Sequence, residues 1–330
     1  MRGTSPQPAP LMTAATRRHL DWALIISCNF MWATQISVIK LIGDRLGPVA
    51  ITFLPMMLST LIFLPALWYE ARQRGAAFHW RWADARHFLI AGMCGPFLIQ
   101  FTYTLGSQRT LAANAGIITL TIPVFVALAA SLLLKEKMNA VRLLSFLLAL
   151  AGVLMTSVAD LRGASFGRAQ YLAGNLLFLV ACAASAFYNT YCKLLVEKKY
   201  TELEILVYSS IVANLASLPL FLFLEPFGPA AWARLDGVAL IGLLELALIV
   251  YGLSMLVFFS VLKRLDVTQA SLGNYLLPFF IALLALLVLK ESITPLMMTG
   301  GAIVLASTLL VTVYETEILA WLRRRSAPDR

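Results

Sequence analysis

The sequence predicts an all-α membrane protein of ten transmembrane helices, arranged as two inverted five-helix repeats. Three observations carry this reading. Sixty percent of the residues are hydrophobic and only 13% are charged, too apolar for the surface a soluble 330-residue chain shows to water. The apolar runs recur at about the 20-residue length that crosses a bilayer as a helix. Residues 112–156 also align without a gap on residues 267–311 at an offset of 155. That register matches Pro123 to Pro278, Phe125 to Phe280, Lys135-Glu136 to Lys290-Glu291 and Ala151 to Ala306.

The ten spans fall near 20–42, 48–69, 86–107, 110–134, 141–159, 171–193, 203–224, 238–262, 267–289 and 295–316. Backbone polar groups in lipid must be satisfied within the chain, so runs of this length are helices, and a barrel would need an alternating polarity absent here. Residues 1–19 read as a disordered cytoplasmic N-terminus carrying Pro6, Pro8 and Pro10, residues 20–159 as the first repeat, 171–316 as the second, and 317–330 as a basic cytoplasmic C-terminus. The first span is too long and too poorly flanked for a cleaved signal peptide. Between spans two and three, Phe78, Trp80 and Trp82 stand among Arg72, Arg74, Arg81 and Arg86, the mixture of a headgroup-zone segment.

Charge sets the orientation. The formal net charge is +9, and with the N-terminus inside, nineteen of the 26 basic residues fall on the cytoplasmic side. The basic balance is therefore topological, with the lipid bilayer as partner and no nucleic acid expected. Five spans per repeat is an odd number, so the second repeat enters upside down: Lys135-Glu136 lies inside and its copy Lys290-Glu291 outside. Asn139 and Thr294 align as helix N-caps, and Pro295 takes the first helical position. Lys40 and Lys193 align near offset 153 at span ends, where snorkelling to the interface accounts for them.

The segments Arg109–Glu136 and Arg264–Glu291 each contain a short loop, an alanine-bearing helix start, a proline within the helix and a terminal Lys-Glu. In this they resemble the paired repeats of the drug/metabolite transporter superfamily, specifically its EamA-like members, over about residues 20–316. The resemblance implies a ten-helix carrier of small organic solutes with two pseudo-symmetric halves, commonly working in efflux. It leaves the solute open.

Candidate site residues follow from polar groups within apolar spans. Proline removes the hydrogen bond to the carbonyl four residues earlier, which for Pro123 is Thr119 and for Pro278 is Asn274, beside Tyr275. Inverted repeats build solute sites from such interrupted helices; the alternative is that the prolines only kink the helices for packing. Asn29, Trp32 and Gln35 in span one, Gln100 in span three and Asn189 in span six are further substrate-binding candidates, with interhelical hydrogen bonds as the competing role. Glu245 is the one acidic residue well inside a span. A charge there costs roughly 2.5 to 3.5 kcal/mol on insertion scales, so a proton-coupling or solute-contacting role is preferred over a structural carboxylic acid.

No cofactor or metal is expected: Cys28, Cys94, Cys182 and Cys192 have no ligand spacing, and neither a nucleotide-binding loop nor an H-E-x-x-H pattern is present. His19, His79 and His87 lie in loops or at span ends, which disfavours an enzyme. The combined expectation is a multi-pass cell-membrane protein with both termini cytoplasmic, exporting a small-molecule solute by alternating access around a central cavity. An importer or exchanger shares that plan; a membrane-embedded enzyme or receptor is the reading of another class. In a cysteine-free background, single cysteines at Ala76 and Ser165 should label from the cytoplasmic and outer sides respectively, and labelling from one side only would rule out the ten-span topology.

Overall fold

The computed structural model describes residues 14–75, 81–133, 140–159, 169–225, 235–263, 276–291 and 294–312, and every regular element among them is helical. Among the described residues six helices are long and apolar enough to cross a membrane, or seven when the bent pair is counted as one span. The shorter apolar stretches Leu143–Val153, Leu277–Leu289 and Met298–Ser307 fall where three further spans are expected. Of the N-terminus expected to be disordered, residues 1–13 lie outside the described residues and residues 14–19 belong to the first helix; the basic C-terminus, Asn274 and Tyr275 also lie outside the described residues.

Helices α1 (Ala14–Ile42) and α2 (Pro48–Gln73) form the first two spans. Pro48 opens α2, where its missing N–H is harmless, and the Glu225 carboxylate reaches across to accept from the free N–H groups of Val49 (3.1 Å) and Ala50 (2.8 Å). Gly47 permits this approach, since a Cβ there would lie 2.3 Å from the Glu225 carboxyl carbon. The third span joins α3 (Ala85–Gly92) to α4 (Leu98–Ser107) through a π-helical segment, Met93–Phe97, in which Gly95 leaves helical geometry before Pro96.

The fourth span is broken. Helices α5 (Ala112–Thr119) and α6 (Ile122–Leu133) meet at 41°. Pro123 is therefore not within a continuous helix as its spacing predicts: the chain turns at Leu120 and Thr121, whose N–H groups bond back to Ile117 and Ile118, and Pro123 sits in the first turn of the next helix. Proline tolerates a first turn far better than a helix interior, so the break moves upstream of it. Pro278 likewise opens a helix (Leu277–Leu284).

The remaining helices are α7 (Ala140–Ala159), α8 (Ala169–Glu197), α9 (Glu202–Leu224), α10 (Gly237–Glu245), α11 (Ser254–Leu262), α12 (Leu277–Leu284) and α13 (Pro295–Thr312). Leu246–Leu253 between α10 and α11 is π-helical, and so is Ala285–Leu289 after α12. Thr201 and Glu204 start α9 with a reciprocal capping box. Asp236 caps α10 by accepting from Ala239 N, and that bond, with Arg45 beside it, holds the Asp236 carboxyl below the usual carboxylate range. Pro295 opens α13 as expected.

Packing pairs α13 with α7, α4 with α8 and α2 with α9. Glycines set the closest approaches: a Cβ at Gly92 would stand 2.7 Å from the Ser209 carbonyl oxygen and 2.5 Å from Val212 on α9. Gly92→Ala should therefore cost about 1–3 kcal/mol through overpacking and lower the melting temperature in detergent. Gly237→Ala, with nothing within 4 Å of the added carbon, should leave it unchanged.

Candidate functional site

The broken and π-helical spans surround one internal cavity. It measures about 100 Å³, counted as space open to the centre of a water molecule, against roughly 10–15 Å³ for one water on that measure. Its wall comes from spans one to four and from α8, α9, the π segment with α11, and α12; neither α7 nor α13 contributes.

Five of the predicted residues line it: Trp32, Gln35, Gln100, Thr119 and Asn189. Gln35 Nε2 donates to Gln100 Oε1 at 2.6 Å, joining α1 to α4 at the cavity wall. Trp32 Nε1 donates to Ser254 Oγ at 2.9 Å, and its ring meets Phe258 at 5.3 Å between centroids. The Thr119 hydroxyl donates to the Gly116 carbonyl at 2.6 Å, so it closes its own helix end while facing the cavity. Asn29 is not part of the wall: it is buried, and its amide donates to Ile25 O at 2.9 Å.

Glu245 stands beside the cavity rather than in its wall. It accepts a short hydrogen bond from the Thr34 hydroxyl, while its other oxygen is buried without a hydrogen-bond partner among the described residues. Thr34 stands between the lining residues Trp32 and Gln35 on α1, so this bond ties Glu245 to the cavity wall.

Three tyrosines that the spacing does not single out are prominent in the wall: Tyr103, Tyr188 and Tyr251. Tyr188 explains the break at Gly95, because its ring fills the notch there and a Cβ would come within 2.3 Å of it. Its hydroxyl bonds Ser209 Oγ at 2.9 Å. The repeat itself carries the signal for some of the missed positions. Ser185 and Tyr188 stand 153 residues beyond Trp32 and Gln35, and Ser210 stands 154 beyond Met56; all six line the cavity. Positions at this spacing in the first and second half of the sequence thus present different chemistry to one chamber.

No Lys, Arg, Asp or Glu is among the lining residues described. The wall offers aromatic faces, thioethers and neutral hydrogen-bonding groups, the composition of a small-molecule site. Lys40, expected to snorkel, instead pairs with Glu291 Oε1 at 2.8 Å, and Lys193 Nζ donates to Leu262 O at 2.8 Å. Among the described residues, no group of three or more His, Cys, Asp or Glu side chains is placed to hold a metal.

A sequence model of the EamA-like transporter family matches residues 22–158 and again residues 172–313. The chain belongs to this family. As an EamA-like protein with long apolar helices, it is a multi-pass membrane transporter of the drug/metabolite type. It is 24% identical to a protein of Streptantibioticus cattleyicolor named a probable terminal-alkyne amino-acid exporter, over 94% of this chain and 97% of that one. It is also 24% identical to a chloroplastic WAT1-related protein of Arabidopsis thaliana, over 92% of this chain and 72% of the other. A solved crystal structure shares the fold at a TM-score of 0.62 and 17% identity, covering 94% of this chain and 99% of its own.

The wall makes a direct test possible. Gln35→Leu removes a hydrogen-bonding amide from the wall and should weaken solute binding about tenfold, the scale of one lost hydrogen bond to the solute. Thr119→Val should weaken it as well, with expression and thermal stability near normal. Leu240→Ala, on the exposed side of α10, should not change binding.

Proposed function

We propose that this EamA-like protein exports a small organic solute of zero net charge, uncharged or zwitterionic, by alternating access around the central cavity. The observation that carries the reading is the cavity wall, which both halves of the chain supply and which holds aromatic and neutral polar groups without a formal charge. A fully ionised solute of one sign would lose its hydration there without a counter-charge. A relative named for amino-acid export supports a zwitterion and an outward direction.

The arrangement we propose has ten spans in two inverted repeats, with the N-terminus and the Lys198 face cytoplasmic in the cell membrane. The positive-inside distribution supports this orientation. Two family matches of similar length support the repeat. The reading is of a carrier rather than an enzyme, and membership of a transporter family supports it.

Proton coupling falls to Glu245. Its hydrogen bond with Thr34, which stands between the lining residues Trp32 and Gln35, couples its ionisation to α1 and to the cavity wall. A proton drives such a cycle only if the two ionisation states favour different conformations. In vesicles, neutral amino acids should be carried in preference to Lys-like or Glu-like solutes, with a sugar and a cationic drug as comparison. Preferential transport of a charged class would overturn the reading of the cavity. Glu245→Gln, which keeps the shape of the neutral form, should abolish acceleration by an imposed pH gradient while leaving solute binding intact; transport that still follows the gradient rules Glu245 out.

A further inference from the structure

Each face of the protein carries contacts between its two halves, and those on one face match those on the other in kind and in register. On the first face, Arg45 Nε meets Asp236 Oδ2 at 2.8 Å. On the second, Lys198 Nζ meets Asp84 Oδ1 at 2.5 Å, and the Tyr200 hydroxyl donates to Asp84 Oδ2 at 2.9 Å. The cations stand 153 positions apart in the chain (45 and 198), and the carboxylates 152 (84 and 236). Asp84 directly precedes α3 as Asp236 directly precedes α10.

A second contact recurs in the same way. Glu225, just past the end of α9, accepts from the N–H groups that open α2. Glu70, near the end of α2, accepts from the hydroxyl of Thr201, which caps the start of α9, at 3.4 Å. The two glutamates are 155 positions apart (70 and 225), and the helix starts they meet, Pro48 and Thr201, are 153 apart. On the Arg45 face the carboxylates come from the second half of the chain and grip the first. On the Lys198 face the first half supplies the carboxylates and the second half is gripped.

Descent from a duplicated unit accounts for the shared register; what singles these contacts out is that each joins one half of the chain to the other, one set on each face. We propose that these are a matched pair of latches, Arg45–Asp236 with Glu225 on one face and Lys198–Asp84 with Glu70 on the other, that open alternately to admit solute to the cavity from one side at a time. A carrier must pass between two forms of nearly equal free energy, because a large gap would leave one form too scarce to work. Latches of like chemistry provide that balance: what one face loses on opening, the other keeps. Both are engaged in this structure. The two are not equally exposed, however. Asp84 is buried at 7% side-chain exposure, whereas Asp236 stands at 48%. Breaking the buried pair should therefore shift the equilibrium more.

The proposal rests on the transport reading, but its test needs no solute. In the full-length protein with Cys28, Cys94, Cys182 and Cys192 replaced, Ser210→Cys places one thiol in the cavity wall. A membrane-impermeant maleimide is then applied from one side at a time to vesicles of known orientation. Asp236→Asn keeps the helix cap and removes the charge; it should speed labelling from the Arg45 face by up to about fivefold, the scale of an exposed pair, and not from the other face. Asp84→Asn, which also removes the charged acceptor of the Tyr200 hydroxyl, should speed labelling from the Lys198 face by about tenfold, the scale of a hydrogen bond to a charged group. If Asp84→Asn does not reach the membrane, Lys198→Gln removes the same pair from its exposed end and carries the same expectation. Equal acceleration from both faces means general loosening and overturns the latches, as does labelling unchanged by either variant. Failure to find a transported solute would count against the transport reading alone, because the labelling result stands without it.

Discussion

Lipid offers the backbone no hydrogen-bond partner, and this constraint governs where the chain is allowed to be irregular. A helix that breaks against hydrocarbon leaves N–H and C=O groups unpaid for; one that breaks against protein or a polar chamber does not. Three of the departures from regular α-helix follow that rule, whereas the π-helical Ala285–Leu289 lies away from the cavity wall. Gly95 and Pro96, the turn at Leu120 and Thr121, and the π-helical run through Val250 and Tyr251 all gather near the cavity. Local backbone repair holds each one: the turn returns its N–H groups to Ile117 and Ile118, and the Tyr188 ring occupies the gap that Gly95 leaves. The cavity and the breaks are thus one feature, since the irregular backbone is stable only where its neighbours leave lipid behind. π-helical turns recur at functional sites for this kind of reason.

How far the sequence revealed this differs by residue. Polar side chains within apolar runs stand out against their background, so Trp32, Gln35, Gln100, Thr119 and Asn189 were legible, and all five reach the cavity. Asn29 carries the same signal yet turns its amide back to its own helix, because spacing along a helix gives a face but not the neighbour that face meets. Tyr103, Tyr188 and Tyr251 were not legible, as a tyrosine in an apolar helix reads equally well as packing. The break at Gly95 was hidden for another reason: it has no proline counterpart in the second half, where a π-helical run without proline takes its place. Pro123 marked the right span, but its pyrrolidine ring settles into a first turn and moves the break upstream.

The charged residues at the two faces were the least legible. Lys40 at a span end looks ready to snorkel, yet it meets Glu291, whose carboxylate also accepts from Ala113 N at the start of α5. Lys290 ends the preceding helix in the left-handed region at φ 58°, uncommon for a residue with a Cβ. Pairing partners so distant in sequence appear only when both halves are placed together. Once they are, the register of the repeat becomes visible in the ion pairs as well as in the apolar spans.

The proposal that solute binds in the cavity rests on the halves, the breaks and the neutral wall together. Solute protection measures this most directly: a single cysteine at Ser185, in the cysteine-free background, labelled with a small maleimide with and without saturating amounts of a solute shown to be transported. Labelling at Ser185 should slow severalfold in the presence of solute, while a cysteine at the exposed Leu240 reacts at an unchanged rate. Equal rates at Ser185 with and without solute would contradict a binding role for the cavity.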